Sequence, residues 1–446
     1  MNRKKSLEYI ERDKKVVSRV SRLSYFPLVI ESGQGAKIID VDGNEYIDFL
    51  SSASSLNLGS SHPAVTRAIE EQLKKISQYT AAYTYNTPLI EYAERLCSIY
   101  PGGEEARVVF GNCGSDANDA AIKFSRAYTG RNRIITFINS YHGSTYGSLS
   151  LTAVTTRMRK KLGALLPGVE HFKFYGSDLD DDLVSREAVR DLEEAFHTYL
   201  PADEVAAVII EPVQGDAGNI PAHPIFMKKL YELCRQHGIL FISEEVQMGF
   251  FRTGKWFSIE HYEGIIPDGI IMGKSFGAGL TAGCFMAKKD IAQCLESPAH
   301  LFTLGANHLV CAAGAAAFDV YKSQEFQDEL KIKNALLKEL AEDLMKKHED
   351  MVMFVRGLGL SYGIGLGSKV DGVLAGDDTA TFKILYRCFE KGLIVISLAG
   401  NILRIQPPLV ITEEELKKGF EIIGQAITEY KEGKIPDSVL EHQKGW

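Results

Sequence analysis

Gly269-Ile-Ile-Met-Gly-Lys-Ser-Phe-Gly277 is a short apolar run that delivers a lysine into a glycine-rich turn ending near Gly279. Ile270, Ile271 and Met272 read as a buried strand, and the small residues after it let the backbone bend sharply. Burying an unpaired ammonium is costly, so a lysine at the end of a buried strand needs a lowered pKa or conversion to a Schiff base. A surface lysine in a loop has the same local pattern. What separates the two readings is whether other strands bring chemistry to the same place.

Working outward, Arg107-Val-Val-Phe110, Ile134-Ile-Thr-Phe137, Val205–Ile210, Ile239–Ile242 and Ala282–Ala287 are further short apolar runs. Helical stretches over 116–128 and 226–237 alternate with them. This alternation predicts an α/β fold with a mostly parallel, buried central sheet flanked by helices. Catalytic groups in such sheets collect at strand ends and in the loops that follow. The texture predicts a large domain over 61–324, with 1–60 and 325–446 combining into a smaller α+β domain. In the latter, 5–22 reads as a helix on Leu7, Ile10, Val16, Val17 and Val20, and 36–48 as a hairpin turning at Asp42-Gly43-Asn44. His62-Pro63 opens a helix on Val65, Ile69, Leu73 and Ile76. A long charged helix after 325 carries Leu330, Leu337, Leu340 and Leu344, and helices follow around 381–391 and 413–430.

The composition, 45% hydrophobic and 24% charged over 446 residues, is that of a soluble globular protein. A net charge of −8 argues against nucleic acid as a partner, since phosphate binding needs a basic face. No apolar run approaches the roughly 18 residues of a membrane span, so no membrane partner is expected. Met1–Lys5 is basic but no apolar stretch follows, so no secretory signal is read. Seven scattered cysteines without a CxxC pair point to reduced thiols and a cytoplasmic location. Eleven histidines show no metal-binding spacing, and no metal is expected.

Gly111-Asn-Cys-Gly-Ser-Asp116 lies between a strand and a helix, where free N–H groups and the helix dipole suit an anion. An ordinary capped turn reads the same way. Neither this stretch nor Gly273-Lys274-Ser275 fits a Walker loop. The glycines at 357, 359, 363, 365 and 367 imitate a dinucleotide fingerprint but lack its strand–helix–strand setting and read as a tight strand. Tyr141, in Ser140-Tyr-His-Gly143, could stack on a planar ligand or be a plain loop aromatic. Ile209–Asp216 and Phe241–Gln247 each put carboxylates just past an apolar strand. Arg404 is a cation in an apolar strand, suited to a carboxylate ligand or to a structural ion pair. An anion cup, an aromatic face, strand-end acids, a buried lysine and a carboxylate-binding arginine are together the parts of a pyridoxal phosphate site.

With those residues in view, the sequence resembles the class III, fold-type I aminotransferase family along essentially its whole length. The matching stretches are Asp40–Asn44, Gly114-Ser115, Tyr141-His-Gly143, Glu211–Gly215, Glu245-Val-Gln247, Arg252-Thr-Gly254, Gly273-Lys274-Ser275 and Arg404. Within the family it is most similar to the isoleucine 2-epimerase type of amino-acid racemase, through Gly114–Asp119, Ala127–Arg131, Ser140–Gly147, Pro298–Thr303, Leu398–Arg404 and the terminal Gly445-Trp446. The resemblance implies pyridoxal 5′-phosphate as cofactor and Lys274 as its Schiff-base lysine. It implies Gly114 and Ser115 on the phosphate, Tyr141 and Val246 on the two ring faces, and Gln247 at the ring hydroxyl. Glu244 falls where the family has an aspartate at the ring nitrogen. Thr303 would reach a neighbouring subunit's phosphate, implying a homodimer or homotetramer with shared active sites. Arg404 would bind the carboxylate of an amino-acid substrate, and Asp216 would act as a second acid/base beside Lys274. The implied activity is racemisation or 2-epimerisation of a neutral, aliphatic amino acid; the alternatives are an aminotransferase using a 2-oxo acid and a non-catalytic cofactor-binding protein. Phe251, His308 and Gly365 stand where the family has glycine, proline and glutamate.

Overall fold

The computed structural model describes residues 2–103 and 105–442. Met1 and the Gly445-Trp446 pair lie outside the described residues. The chain forms two compact units: Pro63–Phe326, and the residues up to His62 together with those from Gln327 onward.

The larger unit is built on seven strands: β1 Ala106–Gly111, β2 Arg133–Phe137, β3 Val169–Phe172, β4 Val205–Ile210, β5 Leu240–Glu244, β6 Gly269–Met272 and β7 Gly283–Lys288. Their order across the sheet is β1-β7-β6-β5-β4-β2-β3. Only β7 runs against its two neighbours; the other pairings are parallel. β4, β5 and β6 are buried along their whole length, as expected of strands with helices on both faces. The helix Gly114–Thr129 presses Ala117, Ala120, Ala121 and Phe124 onto Ala206, Ile209, Ile242, Ile271 and Phe285. Alanine on that face lets the helix lie close to the sheet, while Gly130, in a left-handed conformation, ends it. β1, β2, β4, β5 and β6 therefore all point their C-terminal ends the same way.

The smaller unit has two sheets. Ile30–Gln34, Lys37–Asp40 and Glu45–Asp48 form an antiparallel set, with Leu393–Ile394 added in parallel. The Asp40 carboxylate fixes the hairpin turn by accepting the backbone N–H groups of Asp42 and Asn44 and the hydroxyl of Tyr46. The second sheet runs Val352–Leu358, Ser361–Val370, Ile402–Ile405, Ile396–Leu398. The glycines at 357, 363, 365 and 367 lie in its first two strands, so they form a strand pair and no nucleotide loop.

Four details depart from the sequence reading. β3 was not anticipated, because Val169, Glu170 and His171 are only half-buried at the sheet edge and carry neither an apolar run nor an alternation. The N-terminal helix stops at Val16, and Val16 and Val20 are 84% and 90% exposed; its buried residue is Ser6, whose N–H and hydroxyl both donate to Asp42. The helix Pro63–Lys75 buries Val65 and Gln72 but leaves Leu73 exposed. In the long helix Gln324–Lys347, Ala341 is buried where Leu340 was expected. Among the described residues, no helix is long and apolar enough to cross a membrane, and no cluster of side chains could hold a metal ion.

Candidate active site

β6 carries Lys274 out of the sheet core into a short turn, Lys274–Gly277. Lys274 has φ +49°, a left-handed conformation that costs a β-carbon-bearing residue of order 1 kcal/mol and persists only where surroundings enforce it. The enforcement is visible: the buried Tyr92 hydroxyl donates to the Phe276 carbonyl at 2.7 Å, and a Cβ on Gly273 would fall 3.0 Å from Val246 Cγ1.

After β1, the helix Gly114–Thr129 begins at an extended Cys113 with no side chain capping its first turn. Its free N–H groups and positive dipole end are left for an external anion. A Cβ on Gly114 would meet Val246 Cγ1 at 2.9 Å, so only glycine fits. Ser115 Oγ accepts the Ser144 N–H at 3.2 Å, tying this cup to the loop after β2. Gly143 in that loop, at φ +139°, has its absent Cβ 2.3 Å from Ser115 Oγ.

Gly114, Ser115, Tyr141, Val246, Gln247, Glu244, Asp216 and Lys274 line one cavity of about 170 Å³. Thr303 is exposed, its carbonyl accepting from Gln78, and is not part of that lining. Arg404 is buried in the smaller unit, opposite Gly363 and Ile396 of the adjacent strands.

Two adjacent glutamates end β5 and divide the work. Glu245 turns from the cavity and accepts four hydrogen bonds, from Ser243 Oγ, Ser258 N and Oγ, and Ile259 N, at 2.7–2.9 Å. Burial nonetheless pushes its pKa up to about 7. Glu244 lines the cavity, and its carboxyl is held well above the usual range by burial and then by Glu211, with Lys274 opposing. Asn118, fully buried, hydrogen-bonds Glu244 and donates to the Gly114 carbonyl at 3.0 Å. Glu211, just past β4, receives the Tyr141 N–H on Oε2 at 3.2 Å and the Gly215 N–H on Oε1 at 3.3 Å. Burial, then the nearby Asp216, push Glu211 up to about 8. His142 also lines the cavity; burial drives its pKa down to about 3, and its Nε2 meets Thr136 Oγ1 at 3.0 Å.

Sequence reasoning named Glu211 only as one of several strand-end acids, and passed over Asn118 and His142. The recurrence of acids after β4 and β5 was the available signal for Glu211. For Asn118 there was none, since an asparagine one turn into a helix looks like a solvent-facing residue.

Of the unusual positions, Phe251 keeps the left-handed backbone a glycine would adopt (φ +64°), and its ring packs on Trp256, Tyr321 and Phe326. His308 is the first residue of a helix, where proline is also favoured. Gly365 lies beneath the Phe354 ring, which a Cβ would meet at 2.4 Å.

These features fit pyridoxal phosphate. An uncapped helix end suits its phosphate, and the glycine at 114 allows close approach. Glu244, buried and facing the cavity, suits a protonated ring nitrogen. The comparisons agree. The family model described as Aminotransferase class-III matches residues 19–427. The chain is 40% identical to an isoleucine 2-epimerase of Lentilactobacillus buchneri, covering 99% of both chains. It is 37% identical to a leucine/methionine racemase of Thermococcus litoralis, over 98% of this chain and 99% of that one. Among solved structures, a taurine:2-oxoglutarate aminotransferase of Bifidobacterium kashiwanohense, in complex with PLP and glutamate, matches with a TM-score of 0.88 at 27% identity, over 97% of this chain and 99% of that one. The fold is that of the fold-type I pyridoxal phosphate enzymes, and the chain belongs to the class III aminotransferase family, with pyridoxal 5′-phosphate as its cofactor.

Proposed function

We propose that this enzyme is an amino-acid racemase or 2-epimerase acting on a neutral, aliphatic amino acid. The observation that carries the reading is that a lysine and a second acid/base candidate, Lys274 and Asp216, line one small cavity. The relatives' names, an isoleucine 2-epimerase and a leucine/methionine racemase, support the substrate class.

Bound pyridoxal phosphate supplies an electron sink for the pair left when the Cα–H bond breaks. In this reading Gly114 and Ser115 hold the phosphate, Tyr141 and Val246 sandwich the ring, and Gln247 meets the ring hydroxyl. Glu244, helped by Asn118, pairs with the ring nitrogen, and the extra methylene relative to aspartate lengthens its reach. Arg404 binds the substrate carboxylate. Racemisation takes a proton from Cα on one face and returns one to Cα on the other, so it benefits from two groups. Lys274 Nζ handles one of these transfers and the Asp216 carboxyl the other. Transamination moves the proton to a different carbon and consumes a 2-oxo acid, for which Lys274 alone suffices.

A homo-oligomer completes the reading: Thr303 is exposed between Leu301 and Leu304, two large apolar side chains in water, which a second copy would cover. A cytoplasmic location accords with seven free cysteines.

The test is deuterium exchange. Cofactor-loaded enzyme with L-isoleucine in heavy water, without any 2-oxo acid, is expected to wash out the Cα proton and form D-allo-isoleucine. Turnover that requires a 2-oxo acid and leaves the residual substrate stereochemically unchanged would assign the chain to the aminotransferases instead.

A further inference from the structure

Glu211 belongs to none of the roles above, yet its side chain touches both loops that frame the cavity. One oxygen receives the N–H of Tyr141, the first residue of the aromatic turn after β2; the other receives the N–H of Gly215, the residue before Asp216. The glutamate is 5% exposed and lines the same cavity as Glu244 and Lys274. We propose that Glu211 is the positioning residue of this centre, a strut that sets the ring-stacking Tyr141 and the acid/base Asp216 relative to each other. The proposal rests on the function read above.

The geometry explains why one residue can do this. Both contacts are to backbone N–H groups, so they fix the course of the chain rather than a side-chain rotamer. Moving Tyr141 without Asp216, or the reverse, breaks one of the two bonds. A Cβ on Gly215 would lie 2.0 Å from Gln247 Oε1, so the Asp216 turn is pressed against β5's loop and has little room to compensate.

The company Glu211 keeps is acidic. Asp216 and Glu244, both acids, act on it, and Lys274 opposes them. Three carboxyls this close do not all ionise, so they share protons among them. Glu211 is already pushed up to about 8 by burial and by Asp216.

The experiment compares Glu211→Gln, which keeps one carbonyl acceptor but sets an amide NH2 against the other backbone N–H, with Glu211→Ala, which removes both contacts. Three readouts are taken on cofactor-loaded protein: the visible circular dichroism of the bound cofactor, its dissociation constant, and kcat and KM for racemisation. Glu211→Gln, with one contact left, is expected to keep the sign but only part of the dichroism and to lower kcat about tenfold. Glu211→Ala is expected to lose most of the dichroism and to lower kcat about a hundredfold, with KM changed much less. If Glu211→Gln matches the parent in dichroism and kcat, the pair of N–H contacts does not position the loops and the proposal fails. It also fails if Glu211→Ala merely lowers the melting temperature while the loaded fraction keeps its dichroism and kcat. The dichroism is read without substrate, so a parent enzyme that proves not to racemise would overturn the functional reading and still leave Glu211 tested.

Discussion

Val246 Cγ1 lies 2.9 Å from the point where a Cβ on Gly114 would sit. The first residue of the helix proposed to hold the phosphate and the residue proposed for one ring face are thus closely packed, and neither can grow without displacing the other. Gly114→Ala is expected to push Val246 into the cavity and back the helix end away from the phosphate. Cofactor affinity, read by fluorescence titration, should fall by about tenfold to a hundredfold. An unchanged affinity would show that the phosphate does not use this helix end.

Glu244 should be tolerant of shortening and intolerant of neutralisation. Glu244→Asp restores the family's residue at the strand end and is expected to keep turnover within about tenfold, since the negative charge beside the ring remains. Glu244→Gln removes that charge and is expected to lower kcat/KM by a factor of about a hundred or more. Steady-state kinetics on the two variants, with cofactor saturation checked by absorbance, makes the comparison. Equal losses would detach Glu244 from the ring nitrogen.

Phe251→Gly pits two effects against each other. Glycine relieves the left-handed strain, a gain of about 1 kcal/mol. Against this, losing a buried phenyl ring from the cluster with Trp256, Tyr321 and Phe326 costs about 3–5 kcal/mol. Packing wins, and urea unfolding is expected to show net destabilisation of about 2–4 kcal/mol. A more stable variant would mean the aromatic cluster contributes little.

Legibility in the sequence followed burial. β4, β5 and β6 are buried throughout, so their composition is almost purely apolar and their positions could be read directly. The acids and the lysine at their ends stood out against that background. β3 did not, because a half-exposed edge strand holding Glu170 and His171 has no distinctive period. The N-terminal valines misled for the opposite reason: Val16 and Val20 are apolar but exposed, so periodicity placed a helix face where no core exists. The relation of Glu211 to Tyr141 and Gly215 was beyond sequence reading, because it joins loops seventy residues apart through backbone N–H groups that no residue type announces.

His142 should leave a signature in the acid limb of the cofactor-free protein. Its folded pKa, about 3, lies below the ordinary value of 6.5. Between those two values the unfolded chain holds a proton that the folded chain does not, so stability falls as the pH drops. The slope from this one group is about 1.4 kcal/mol per pH unit across the window. His171, also lowered by burial, adds in the same sense. In His142→Gln the slope measured by urea titration at several pH values is expected to be shallower by about one proton. The raised pKa values of Glu211 and Glu245 act oppositely, favouring the folded state at low pH and losing that contribution as the pH rises through about 8 and about 7 respectively. They are common to both proteins and cancel in the comparison. An identical slope would place the His142 ring in water.

The division of proton transfer between Lys274 and Asp216 is tested most directly by Asp216→Asn. The quantity to measure is the ratio of racemisation to the single-turnover half-transamination of the same amino acid, by chiral chromatography and cofactor absorbance. Lys274 is expected to sustain the half-transamination within about tenfold while racemisation falls by about a hundredfold or more, so the ratio collapses. A ratio unchanged from the parent enzyme would show that Asp216 takes no separate part in moving the Cα proton.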